Sequence, residues 1–182
     1  MTVSLIAPSR PAGLQVIHDI REGAPFLLWH LVVMLLLGFA CVGLSLIDQR
    51  LINGVSVWAK PAKFYVSLAV QFATVAWGLS FLPAAQRATR AIQWPLVVML
   101  ACGWLELFYI TLQALRGQPS HFNTSSALYS TIYTLMGVAA SVMLLIAMYI
   151  GIRLWRVRAQ GLWTEAAAVG LFWGGLLGLA AG

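Results

Sequence analysis

The sequence predicts an all-α membrane protein: a bundle of five transmembrane helices (residues 26–182) behind a short N-terminal interfacial segment (residues 1–25). Composition is the first observation. Of 182 residues, 61% are apolar and only 9% charged. A soluble domain carries about 25% charged residues, so this chain lacks the charge to cover a water-facing surface. The second observation is continuity. The apolar residues come in unbroken runs near the ~20 residues that a helix needs to cross a hydrocarbon core, without the alternation of a membrane β-barrel.

Pro11–Glu22 mixes Leu14, Val16, Ile17 and Ile20 with Gln15, Asp19 and Arg21. That pattern fits a helix lying in the membrane interface, with a disordered tail as the alternative. Gly23-Ala24-Pro25 should break it before the first span, Phe26–Ile47. This run is longer than the apolar part of a signal peptide and no A-x-A site follows it, so it reads as a span. The second span is expected at Lys63–Leu82, the third at Trp94–Leu115, the fourth at Ala127–Ile152 and the fifth at Ala166–Ala181.

The net charge of +6 does not point to nucleic acid, because the basic residues sit between spans. They set orientation instead. With the N-terminus inside, the inner side holds Arg10, Arg21, Arg87, Arg90, Arg153, Arg156 and Arg158, and the outer side only Arg50, Lys60, Lys63 and Arg116. The expectation is a cytoplasmic N-terminus and an outside C-terminus. Trp29, Trp94, Trp155 and Trp163 fall at inner borders and Trp58 at an outer one, as interfacial tryptophans do. Cys41 and Cys102 lie inside apolar runs, so no disulfide framework is indicated.

Helical spacing sorts the polar residues within spans. Lys60, Lys63, Ser67, Gln71 and Thr74 form one stripe on the second span; Glu106, Tyr109, Gln113 and Arg116 form another on the third. Gln71 lies eight residues, roughly 12 Å, below the outer rim, and Glu106 nine residues, roughly 13 Å. The two are level, and the stripes are expected to face each other. A carboxyl at that depth costs ~2.5–3.5 kcal/mol on insertion scales. Glu106 therefore reads either as a proton-relay or ligand-binding group, or as a protonated structural partner of Gln71 or Ser67. His30, Met34, Gly38, Cys41 and Ser45 share a face of the first span. His30 as a haem or chlorophyll ligand lacks a second intramembrane histidine, so packing is the preferred reading. Ser130, Thr134, Gly137 and Ser141 suggest a packing face on the fourth span. On the fifth, Gly170, Gly174, Gly178 and Gly182 recur every four residues, a small-xxx-small pattern that admits another helix, from this chain or from another protein or copy.

Polarity collects at Leu112–Asn123 for reasons that are partly local. Arg116, Gly117 and Pro119 are helix-stop residues, and Asn123 to Ser126 offer caps to the next helix. Gln113, His121 and Phe122 have no such role, so the loop is expected to roof a polar cleft ringed by Lys60, Lys63 and Arg116. V-W-A-K-P-A-K-F (Val57–Phe64) and R-G-Q-P-S-H-F-N (Arg116–Asn123) resemble paired signatures of a family of uncharacterised bacterial multi-pass membrane proteins. Lys60, Pro61, Lys63, Phe64, Arg116, Gly117, Ser120, His121, Phe122 and Asn123 match that pattern, and the resemblance spans Leu51 to about Gly137. It implies a bacterial inner (plasma) membrane, a shared outer-face site, and relatives that run on into further helices.

No nucleophile elbow, phosphate loop or zinc motif is present, and His18, His30 and His121 are scattered rather than clustered as metal ligands. Two function classes remain. One is a binding or accessory subunit whose cleft takes a lipid or quinone headgroup through Lys60, Lys63, Gln71, Glu106, Tyr109, Gln113, Arg116, His121 and Asn123, and whose Gly170/Gly174/Gly178 face meets a membrane partner. The other is a small proton-coupled transporter or membrane redox enzyme using Glu106 and His121.

Overall fold

The computed structural model describes residues 17–18, 20–21, 23–157 and 161–181. From Pro25 onward it contains six helices: α1 (Pro25–Ile47), α2 (Ala59–Ser80), the single turn α3 (Ala84–Arg87), α4 (Arg90–Leu115), α5 (Ala127–Val157) and α6 (Leu162–Ala181). A two-stranded hairpin, β1 (Leu51–Ile52) and β2 (Val55–Ser56), joins α1 to α2. Of the expected interfacial helix, only Ile17, His18, Ile20 and Arg21 are described, and all four are helical; the rest of Pro11–Glu22 lies outside the described residues. The break falls at Ala24, whose φ of −158° and ψ of 87° leave the helical region just before Pro25.

Four helices, α1, α4, α5 and α6, are long and apolar enough to cross a membrane. The fifth expected span, α2, is 22 residues long but is not among them. The reason is its polar stripe: Lys60, Lys63, Ser67, Gln71 and Thr74 dilute the apolar residues. Packing compensates. Leu68, Phe72, Val75, Ala76 and Leu79 of α2 are buried, and the helix touches α1, α4, α5 and α6.

Small residues set these approaches. Gly23, just before α1, abuts the Ala76 carbonyl, and a Cβ on Gly38 would lie 3.2 Å from Tyr65 Cβ, so α1 and α2 run antiparallel between these points. A Cβ on Gly103 of α4 would meet Phe72 at 2.9 Å, while Tyr65 and Thr111 share a 3.2 Å hydroxyl hydrogen bond. These two points fix α4 as antiparallel to α2. Gly151 brings α5 against the Ala168 carbonyl of α6, and Gly175 of α6 seats against Met148 and the Leu144 carbonyl.

The glycine stripe therefore divides differently from expectation. Gly178 packs on Leu144, but Gly170 and Gly174 have no atom near an added Cβ, and Gly182 lies outside the described residues. The buried face of α6 is Thr164, Ala167, Ala168, Leu171 and Gly175, an i, i+3, i+4, i+7 pattern that follows a 3.6-residue turn better than a strict repeat of four. The expected packing face of α5 is also corrected. Thr134 and Gly137 are exposed, and the hydroxyls of Thr134 and Ser141 bond back to Ser130 and Gly137 carbonyls. Met136, Met143, Ile146, Ala147, Ile150 and Leu154 pack inward instead.

Two glycines one position apart thus make opposite predictions. Gly175→Leu should lower thermal stability by about 1–3 kcal/mol, the usual cost of overpacking, because Met148 and the Leu144 backbone must give way. Gly174→Leu should leave the stability of the isolated chain unchanged. Thermal unfolding of both variants in detergent checks this, and equal effects would contradict the packing described.

Candidate functional site

The residues of the expected cleft meet at the end of the bundle where the β-hairpin and the α4–α5 loop come together. Asp48 organises this end. It follows α1 directly and accepts hydrogen bonds from Arg50 Nε at 3.0 Å, Arg50 Nη2 at 2.7 Å and Trp58 Nε1 at 2.8 Å. These donors, with Arg50 foremost, hold its carboxyl far below the usual carboxylate range. Arg50 Nη1 also donates to the Leu115 carbonyl at 2.9 Å, so one ion pair ties the end of α1, the start of α2 and the end of α4. Between them the hairpin turns on Asn53 and Gly54, both at positive φ (53° and 79°), the signature of a tight two-residue turn.

The α4–α5 loop is equally well defined. Gly117 at φ 67° ends α4; its N–H donates to the Ala114 carbonyl at 3.0 Å and that of Gln118 to the Gln113 carbonyl at 2.9 Å. This pair of bonds satisfies the last free carbonyls of the helix. Gln113, fully buried, donates from Nε2 to Tyr109 Oη at 3.2 Å and to the Pro119 carbonyl at 3.5 Å. Asn123 donates to the same carbonyl at 3.3 Å and accepts from Ser125. Ser126 accepts the Tyr129 N–H and caps α5. Gln113 and Asn123 thus hold the loop.

Under this loop lies a cavity of about 370 Å³. Lys60, Lys63 and Phe64 form its α2 wall, Ile110 and Ala114 its α4 wall, and Ser120, His121 and Phe122 its roof. Aromatic contacts knit the roof down: His121 sits 5.5 Å from Phe64 and 5.8 Å from Tyr133, and Phe122 lies 5.0 Å from Tyr133. Lys60 Nζ stands 5.8 Å from the Phe64 ring centre, within cation–π range. Phe122 is 80% exposed and held at φ 56°, a conformation rare for a bulky residue and often found beside binding sites. Among the described residues no acid lines the cavity, so its electrostatics favour an anion or a carbonyl oxygen.

Of the expected site residues, Lys60, Lys63 and His121 line this cavity; Gln71, Glu106, Tyr109, Gln113, Arg116 and Asn123 do not. Arg116 is exposed at the end of α4. Glu106 is 5% exposed with no hydrogen-bond partner among the described residues, and Lys60 is the cation within its electrostatic reach. No hydrogen bond joins Glu106 to Gln71, whose Nε2 is buried without an acceptor, as Gln113 Oε1 is without a donor. The stripes meet only in part. Lys60 and Gln71 are half-buried, whereas Lys63, Ser67 and Thr74 are exposed, because the larger apolar face of α2 takes the contacts. His30 bonds through Nδ1 to the Phe26 carbonyl at 2.8 Å and rests edge-on to Trp104.

Sequence reasoning missed the Asp48–Arg50–Trp58 cluster and the hairpin. The Asn-Gly pair between Leu51-Ile52 and Val55-Ser56 is the signal that marks the hairpin. No family model, curated protein or solved structure matches the chain, and the resemblance carried by the two signatures stands on those residues alone.

His121 is the titratable group of the roof, and burial followed by the Lys60 charge pushes its pKa down to about 4. It is thus neutral at physiological pH, in place of the proton exchange near pH 6.5 that an unperturbed imidazole offers. The unfolded chain binds the proton first as pH falls, so the roof's contribution to stability is present above about pH 6.5 and is lost between there and about 4. An NMR titration of the His121 ring should show its midpoint near 4. A midpoint near 6.5 would mean that the roof is open to water.

Proposed function

We propose that this protein is a membrane-embedded binding or accessory subunit whose cavity takes the headgroup of a lipid or quinone. The observation that carries the reading is the cavity lining, where Lys60, Lys63 and a half-buried, neutral His121 meet the apolar Ile110 and Ala114, with no acid among the described residues there. Two ammonium groups suit a phosphate or carboxylate, and a neutral imidazole can donate to a carbonyl. Ile110 and Ala114 at the floor suit the apolar part of an amphiphile.

In this reading α2 crosses the membrane as the fifth span, wrapped by its neighbours, and the cavity opens at the outer face with the N-terminus in the cytoplasm. The chain sits in a bacterial plasma membrane. Gly170 and Gly174, open on α6, are where a partner helix or a second copy docks.

A proton-coupled transporter or redox enzyme is the second reading. What favours it is Glu106, a carboxyl 5% exposed and without a hydrogen-bond partner among the described residues, two turns before Gln113 on α4, whose Oε1 is itself buried without a donor. An unsatisfied buried polar group costs about 1–3 kcal/mol, and such a cost is borne readily where a group works.

Three variants separate these readings. Lys60→Gln with Lys63→Gln should lose most bound lipid or quinone, measured by extraction and mass spectrometry of the purified protein, at near-normal stability. Unchanged ligand content would sink the binding reading. Glu106→Gln should retain ligand and fold if Glu106 is structural, since Gln also donates a hydrogen bond, while Glu106→Leu destabilises. Loss of proton-linked activity in Glu106→Gln with ligand retained would favour the second reading.

A further inference from the structure

Helix α4 contains a proline, and the repair made around it shapes a second groove far from the cavity. Pro95 has no N–H for the Ala91 carbonyl one turn back. Tyr149 of α5 donates its hydroxyl to that carbonyl instead, at 3.2 Å. The same hydroxyl accepts from Arg153 Nη1 at 3.0 Å, and Arg153 Nη2 reaches Gln86 Oε1 at 3.4 Å. This relay pins α5 to the start of α4 through polar atoms at the bundle end opposite the hairpin. Alongside it runs a groove of about 420 Å³ between Trp94 and Pro95 on one side and Val142, Leu145 and Ile146 on the other.

The chemistry of the groove is amphiphilic in one direction. Its length is apolar, and its rim is Arg90, exposed and without a hydrogen bond or ion pair among the described residues. Arg87 and Arg153 stand nearby in the chain and in the relay, and they bond only neutral oxygens. Among the described residues the acids are Asp48, Glu106 and Glu165, and none lines the groove. Trp94, 63% exposed, is the kind of side chain that settles at the level of lipid headgroups.

We propose that this groove holds an anionic phospholipid, its phosphate at Arg90 and one acyl chain along Trp94, Leu145 and Val142. Charge complementarity selects this occupant: a cationic rim with no carboxylate, above an apolar trough open to the bilayer. Under the proposed orientation it is a lipid of the cytoplasmic leaflet, where anionic lipids attract juxtamembrane arginines. The inference is independent of the cavity reading, since the two sites lie at opposite ends of α4.

The test is native mass spectrometry of the delipidated protein in detergent, titrated separately with dioleoylphosphatidylglycerol and dioleoylphosphatidylcholine. The first phosphatidylglycerol should bind about fivefold more tightly than phosphatidylcholine, the gain expected of one arginine at a headgroup. Arg90→Gln, a change at an exposed and unpartnered side chain, should erase that preference, and Trp94→Ala should weaken both lipids. Arg156→Gln, exposed on α5 outside the groove, should keep the preference. The proposal is overturned by equal binding of the two lipids, by a preference that survives Arg90→Gln, or by equal losses in Arg90→Gln and Arg156→Gln.

Discussion

Helix α2 carries too many polar groups to stand in lipid alone, and the rest of the bundle is arranged around that fact. Lys60, Lys63, Ser67, Gln71 and Thr74 occupy one side of it, while Leu68, Phe72, Val75, Ala76 and Leu79 occupy the other. The apolar side has to be covered, and it is: α1 lies along it from Gly23 to Gly38, and α4 closes over Phe72 at Gly103. At Gly23, Gly38 and Gly103 the missing side chain lets backbones come close enough for dispersion and packing to act where no hydrophobic drive separates helix from lipid. Of the polar side, Lys60 and Lys63 stand at the hairpin end under the loop that follows α4, while Ser67 and Thr74 stay exposed further along the helix. The cavity follows from this segregation.

What holds the two halves in register is a single charged cluster at the hairpin end. Arg50 bridges Asp48 at the end of α1 to the Leu115 carbonyl at the end of α4, and Trp58 brings the start of α2 to the same carboxylate. The pair is partly exposed, and exposed ion pairs contribute modestly to stability. Its value here is geometric: three side-chain donors, Arg50 Nε and Nη2 and Trp58 Nε1, converge on one carboxylate and fix where the cavity wall begins. At the other end the Pro95–Tyr149–Arg153 relay does for α4 and α5 what the Asp48 cluster does for α1, α2 and α4.

The helices were legible because a continuous apolar run of bilayer length has few other solutions. Ile47, Leu115, Ala127 and Ala181 are helix ends in both the sequence reading and the structure. The starts differ, since α2, α4 and α6 each begin four residues earlier than their apolar runs, through Ala59, Arg90 and Leu162; polar residues continue a helix into the interface without marking it as apolar. Gly117 as a helix stop and the Ser126 cap were also legible, because local hydrogen bonding decides them. The facing of the stripes was less so. Periodicity identified Gly170, Gly174 and Gly178 as one row but could not say that α5 packs beside it, against Gly175 and Ala168. Likewise it grouped Glu106 with the mouth residues, whereas cavity shape depends on loop closure by Gln113 and Asn123 onto Pro119, a contact with no periodic signature.

The proposed crossing of α2, despite its polar stripe, decides the orientation of the cavity. It is tested by single cysteines at Asn53, in the hairpin before α2, and at Thr89, after it, with Cys41 and Cys102 replaced by alanine. Labelling intact cells and inverted vesicles with a membrane-impermeant thiol reagent reads the side of each. If α2 crosses, Asn53 labels from outside only and Thr89 from the cytoplasmic side only. Labelling of both positions from the same side would contradict it, because α2 would then return without crossing.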